Sequence, residues 1–169
     1  MPTTCKLIAK NVLGSDTASV TFSSIPATYT DLWLVMSARS DRSGDINDFI
    51  NVSFNGSTSN FTGRYLQGNG SSASSNTNVP RLIGYMTASN STASTFGSSE
   101  AYIPNYAGST NKSFSVSAVN ETNGSVAIII LCANLWSNTA AINEVGLVPA
   151  NGTNFKSGSS FFLYGITKA

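Results

Sequence analysis

The sequence contains no histidine and only two cysteines among its 169 residues. Without an imidazole, Ser-His-Asp and Cys-His nucleophile systems and histidine-ligated metal sites are excluded. Cys5 and Cys132 are far apart in the chain, so no Cys-X-X-Cys redox or zinc motif is present. Both lie in segments predicted as strands. We expect two thiols rather than a disulfide, because free cysteine commonly behaves as a small buried hydrophobic residue.

Charge is also scarce: nine basic and eight acidic residues make up 10% of the chain and leave a net charge of +1. No basic cluster points to nucleic acid or to an acidic membrane surface. The N-terminus lacks the features of a secretory signal. The longest apolar run, residues 126–136, is shorter than the roughly 20 residues that span a bilayer. We expect a soluble chain made in a cytoplasm.

A helical pattern is missing as well, and the apolar residues alternate with a period of two. Phe114, Val116 and Ala118 share one face and serines the other. "DLWLVMSA", "VAIIILCANLW" and "SSFFLYGIT" are apolar on both faces, which is typical of central strands in a packed sandwich. About nine to eleven short strands separated by Gly and Asn turns predict one all-β domain over residues 1–169. We expect an antiparallel, jelly-roll-like β-sandwich with no substantial helix and no anchor or linker domain.

Two long polar segments, residues 67–80 and 87–99, are predicted as loops. Aromatic side chains flank them, and such rings can stack on sugars or fill a protein interface. The candidates for binding at these loop tips are Tyr65, Gln67, Asn69 and Tyr106.

The chain concentrates its charge in "RSDRSGDIND". Clustered carboxylates of this kind can bind calcium, but the spacing is not that of an EF-hand, and two arginines lie among them. A salt-bridged or solvated loop is therefore the favoured interpretation, with no metal ligand and no cofactor assigned. Paired carboxylates are the one catalytic option left. No other part of a glycosidase site accompanies them, so we assign no catalytic residue and expect no enzyme. The candidates for assembly contacts are Arg39, Asp41, Arg42, Asp45 and Asp48.

Four stretches, "YTDLWLVMSARSDRSGD", "FNGSTSNFTGRYLQGNGSSASS", "EAYIPNYAGSTNKSF" and "GSSFFLYGI", resemble small β-sandwich virion proteins of tailed bacteriophages, common among marine and cyanobacterial phages. The resemblance implies a virion structural protein. Because the predicted strands run from Cys5 to Ile166 and leave no anchor domain, we expect a capsid decoration (cement) protein on the outside of the head.

The partners implied are the major capsid protein and copies of the chain itself, as a homotrimer; neither nucleic acid nor membrane is expected. The alternative is a receptor-binding or glycan-binding domain of a tail fibre or tailspike, whose ligand would be a host surface glycan.

Overall fold

The computed structural model describes residues 4–77, 80–124 and 127–167, and these residues form two antiparallel sheets packed face to face. The predicted β-sandwich is thereby confirmed, and the described residues include no helix. The strands are β1 (Cys5–Val12), β2 (Val20–Phe22), β3 (Asp31–Ala38), β4 (Asn47–Phe54), β5 (Phe61–Gly68), β6 (Ala73–Asn76), β7 (Leu82–Thr87), β8 (Gly97–Ile103), β9 (Lys112–Asn120), β10 (Ile128–Trp136), β11 (Val145–Pro149) and β12 (Ser160–Ile166).

The strand order is that of a jelly roll with additions. The smaller sheet has the order β2-β11-β4-β7, and the larger has the order β1-β12-β3-β8-β9-β10-β5-β6. Without β1, β12 and the β9–β10 hairpin, the larger sheet is β3-β8-β5-β6, and the eight remaining strands form the two four-stranded sheets of a jelly roll. The inserted hairpin and the two terminal strands therefore make one sheet twice as wide as the other.

Alternation of side chains builds the core between the sheets. In β9 the side chains of Phe114, Val116 and Ala118 are buried, whereas Ser113 and Ser115 are exposed, as the period of two predicts. One end of the core is packed with aromatic rings: the ring centroids of Phe54 and Trp136 are 5.4 Å apart. Tilted and edge-on ring contacts of this kind stabilise a core beyond the area that they bury.

Turn chemistry agrees with the sequence at most positions. Asn55 and Gly56 follow β4 with φ angles of 53° and 73°, values that Asn and Gly adopt most readily. The described residues contain twelve strands rather than nine to eleven, because β6 forms inside the predicted loop 67–80 and pairs with β5. The second predicted loop is confirmed over residues 88–96.

Both cysteines are free thiols, as expected; Cys132 is buried and Cys5 half-buried. Burial raises the pKa of the Cys132 thiol to about 12, which keeps it protonated. Within the three described ranges, none of the secondary structure is a helix able to cross a membrane.

Candidate functional site

Asp41 and Asp48 hold the backbone of one distant loop. Four consecutive backbone N–H groups, those of residues 151–154, donate to these two carboxylates. The Gly152 N–H donates to Asp48 Oδ2 at 2.8 Å and the Thr153 N–H to Asp41 Oδ1 at 2.7 Å. Gly152 lies between the carboxylates, where a Cβ would be 2.8 Å from Asp41 Oδ1. Asp48 is fully buried, so these bonds replace all of its hydration.

Hydrogen bonding also changes the acidity of Asp41. Burial alone would raise the pKa of this carboxyl. The N–H groups of Asn154, in its backbone and its side chain, and of Thr153 together outweigh burial and lower the pKa below its usual value. The carboxylate form is therefore stabilised by the loop that it holds.

The two arginines of the stretch are used inside the chain as well. The Arg39 guanidinium donates to four backbone carbonyls of the loop between β7 and β8, those of Ser89, Ser91, Thr92 and Thr95. Arg42 forms an ion pair with Asp45 at 2.9 Å and donates to the Asn47 carbonyl. The Asp45 carboxylate also accepts the N–H of Ile46 at 2.7 Å.

Arg39, Asp41 and Asp48 thus join three loops of the sandwich to one another. The charged groups of Arg42 and Asp45 bond within their own connection. A calcium ion would need the carboxylate oxygens of Asp41 and Asp48 as ligands, but backbone and side-chain N–H groups already donate to them. The positive ends of these N–H groups would repel a cation at the same oxygens. Across the described ranges, no three His, Cys, Asp or Glu side chains come together as a possible metal site. That these residues contact a second protein stays a prediction, with Arg42 and Asp45 the more accessible pair.

The four tip candidates do not form one surface. The Tyr65 side chain points into the sandwich and packs on Phe49 with ring centroids 6.4 Å apart. Gln67 is half-buried and Asn69 is exposed in the β5–β6 turn, where its side chain accepts the backbone N–H of Ser72.

Tyr106 requires a correction. Its ring is 0% exposed and its hydroxyl donates to the Pro26 carbonyl, so it is a core residue with no surface for a ligand. It also follows β8, at the end of the larger sheet opposite to the β5–β6 turn. The position of Tyr106 next to a predicted loop did not reveal whether its ring is buried in the core or exposed.

Sequence reasoning missed a buried amine at that same end. Lys112 is 0% exposed, and its Nζ donates to the carbonyls of Gly108 and Thr110 in the β8–β9 connection. Desolvation lowers its pKa. The alternation of β9 carries the signal, because Lys112 lies on the same side of the strand as the buried Phe114.

The broadest exposed feature is the outer face of the larger sheet, by which we mean the side chains that point away from the smaller sheet. Four of its apolar side chains are largely exposed: Leu66 by 60%, Ile129 and Leu131 by 58% each, and Val119 by 44%. They lie side by side on β5, β9 and β10. The prediction of a central strand in segment 126–136 is confirmed, since β10 lies between β9 and β5. Its second apolar face is nevertheless uncovered, because β10 is covered on its inner face only. Contiguous exposed apolar residues commonly mark an interaction surface.

The strand register places the outer-face residues in rows that cross the sheet. One row, read from β1 to β6, consists of Lys10, Phe162, Val35, Glu100, Ser117, Leu131, Leu66 and Ser75. The next consists of Leu7, Tyr164, Trp33, Tyr102, Ser115, Ala133 and Arg64. Large apolar side chains therefore stand on both flanks of a serine-rich strip over β9, formed by Ser113, Ser115 and Ser117.

This face is contoured rather than flat. Shallow hollows of about 130 and 170 Å³ lie over the serine-rich strip, beside Val35 and Leu131 respectively. A larger one of about 520 Å³ opens over the small Ala133 and Ser115 and is bordered by Arg64, Leu66 and Leu131. Exposed apolar side chains and hollows stand next to each other on this face.

Two side-chain hydrogen bonds form on the outer face. Trp33 donates its indole N–H to Glu100 Oε2 at 3.1 Å, and the Tyr102 hydroxyl donates to Asp31 Oδ2 at 2.6 Å. The hydrogen bond to Asp31 raises the pKa of Tyr102. Neither Arg64 nor Glu100 forms an ion pair with any residue of the described ranges. Arg64 and Glu100 are thus one positive and one negative group without an ion-pair partner among the described residues, although Glu100 accepts the Trp33 N–H. No family model, curated protein or solved structure matches this chain.

Proposed function

We propose that this chain is a non-enzymatic structural protein of a bacteriophage particle, acting as a decoration protein on the outside of the head shell. The observation that carries the proposal is the outer face of the larger sheet. It leaves Leu66, Ile129 and Leu131 uncovered in the isolated chain. Burial of apolar side chains favours association at about 25 cal/mol per Å², so such a face is suited to contact with protein. The resemblance to virion proteins supplies the location.

The proposed partners are the major capsid protein and further copies of this chain, with a homotrimer as the assembly that the resemblance implies. The loop-joining role of Asp41, Asp48 and Arg39 suits a virion part, because it fastens exposed connections without disulfides. Arg42 and Asp45, which remain accessible, are the proposed polar contacts to the shell.

Reconstitution on particles tests the proposal. Phage heads that lack this protein are mixed with the purified chain, pelleted and imaged by cryo-electron microscopy. We expect saturable binding and density on the shell. We expect weakened binding for Leu131→Asp and unchanged binding for Val148→Asp, a residue 37% exposed on the smaller sheet. Absence of binding, or density at a tail tip, would contradict the proposal.

A second function, glycan binding on a tail fibre or tailspike, is favoured by a specific cluster on the same face. The rings of Trp33 and Tyr164 lie 5.7 Å apart, and Tyr102 and the carboxylates of Glu100 and Asp31 are next to them. Aromatic faces beside hydrogen-bond acceptors suit a sugar. A glycan array with Tyr164→Ala as the variant and Tyr29→Ala as the control tests this function. Loss of a signal in the first variant alone would support it, and an array without signal would reject it.

A further inference from the structure

We propose that the outer face of the larger sheet binds a second copy of this chain about a two-fold axis that runs parallel to the strands, between β9 and β10. This inference deepens the proposed function by naming the occupant of the exposed apolar face. In such an isologous interface both copies use the same surface, so every contact between two different residues occurs twice. The order of side chains along the rows of this face supports such an axis.

The axis matches Leu131 with the small Ser117 in one row, and the two large apolar residues Val119 and Ile129 with each other in another. It exchanges β9 with β10 and β8 with β5, so Leu131 of each copy faces Ser117 of the other, in the same row. Ser115 faces Ala133 in the next row. Ridges therefore meet the serine-rich strip, where the hollows beside Val35 and Leu131 lie. Interdigitation of this kind is how two sheets pack at about 10 Å.

The same axis places Tyr102 of one copy over the Arg64 position of the other, at the border of the hollow of about 520 Å³. The Tyr102 side chain is 40% exposed and so is available to enter it. An aromatic ring beside a guanidinium is favourable, and more so when water is excluded. Each copy thus supplies one such ring and one such hollow.

Charge selects this axis over its neighbours. Glu100 of one copy lies over Leu66 of the other, and Arg64 is two residues away on the same strand, about 7 Å and within reach of its side chain. An axis one strand nearer to β5 would bring the two Arg64 groups together, and one strand nearer to β8 would bring the two Glu100 groups together. Like charges across an interface are strongly unfavourable, so of these three axes the proposed one is favoured, because it brings opposite charges within reach of each other.

The area available is also sufficient. Six strands, β3 to β6 in sheet order, overlap about this axis and span about 29 Å at 4.8 Å per strand. With about seven residues per strand the overlap is about 700 Å² per copy, close to the roughly 800 Å² per partner of a standard interface. A dimer about this axis replaces, for this face, the homotrimer that the resemblance implies.

The test is sedimentation velocity of the purified full chain over a concentration range from about 1 to 500 μM. We expect a monomer–dimer equilibrium, a dissociation constant at least tenfold higher for Arg64→Glu and for Glu100→Arg, and recovery to within about threefold in the double charge swap. The pair occurs twice in the interface, and close charge pairs contribute enough for such a change. Lys10→Glu, on the same face but outside the overlap, is the control and is expected to leave association unchanged.

A monomer at every concentration, a trimer, or a dimer that the charge variants leave unchanged would each overturn the inference. Circular dichroism and thermal unfolding of the variants separate loss of association from loss of folding. The dimer and the proposed function can fail separately. A monomer that still binds heads would contradict the dimer and leave the proposed function standing. A dimer that does not bind heads would contradict the proposed function and leave the dimer standing.

Discussion

Replacement of Asp48 by asparagine probes the connection between β4 and the loop before β12 most directly. The Asp48 carboxylate is buried and accepts four hydrogen bonds: from the Phe49 N–H, the Asn151 N–H and side-chain amide, and the Gly152 N–H. In Asp48→Asn one carboxylate oxygen becomes an NH₂ group. If the retained oxygen stays at the Oδ1 position, the NH₂ faces the Gly152 N–H and that half-buried donor loses its acceptor. An unsatisfied buried donor costs about 1–3 kcal/mol, and the three remaining bonds lose their charge.

We therefore expect Asp48→Asn to lower the free energy of unfolding by about 2–4 kcal/mol, a large part of the roughly 5–15 kcal/mol of an ordinary domain. Urea unfolding measures this as a midpoint lower by about 1–2 M, given slopes of about 1–3 kcal/mol/M. Glu144→Gln is the control, since its carboxylate accepts no hydrogen bond from the residues that the structure describes. If the two variants unfold at the same urea concentration, the loop-holding role of Asp48 is refuted.

Three further perturbations test neighbouring parts of the structure. The pKa of Asp41 is lower in the folded state, so its contribution to stability is complete above about pH 4 and is lost as the pH falls through the folded pKa. The difference in unfolding free energy between wild type and Asp41→Asn should therefore shrink from pH 5 to pH 2. A constant difference would contradict this role of the Asp41 carboxylate. Arg39→Lys cannot reach all four carbonyls of loop 88–96 and should cost about 1–3 kcal/mol, with faster proteolysis within that loop; an unchanged cleavage rate would argue against the clamp. In Gly97→Ala the new Cβ would lie 2.8 Å from the Met86 Cα and the Tyr85 carbonyl, so thermal unfolding should show a free energy of unfolding lower by about 1–3 kcal/mol. Gly14→Ala is the control, because its Cβ would have nothing within 4 Å. Equal melting temperatures of the two variants would refute the close contact.

Local patterns were sufficient for most of the fold. Alternation in β9 predicted which side of the strand is buried, and Asn55–Gly56 predicted a tight turn, because both depend on neighbours in the chain. β6 was missed because its four residues, Ala73–Asn76, are all exposed and carry no alternation. It is a strand only because β5 offers a free edge with which to pair.

The candidate site depended on contacts that no local pattern contains. Asp48 and Gly152 are 104 residues apart, so the charged stretch could be recognised while its partners could not. The exposed outer face was missed for another reason. An apolar segment such as β10 has the same sequence pattern whether its second face is covered by the same chain or by another molecule. Only the three-dimensional arrangement separates these cases.

The few charges of this chain are divided between two tasks, and the division can be tested with single substitutions. Asp41, Asp48 and Arg39 have all their described partners within the chain, so their loss should lower stability. Arg64 and Glu100 form no ion pair with any described residue, so reversing either should alter association while the unfolding midpoint of the monomer changes little. Sedimentation and urea unfolding of Asp48→Asn and Arg64→Glu measure both properties on both variants. If Arg64→Glu destabilises the monomer as strongly as Asp48→Asn, the outer face is part of the fold's own stability and the division does not hold.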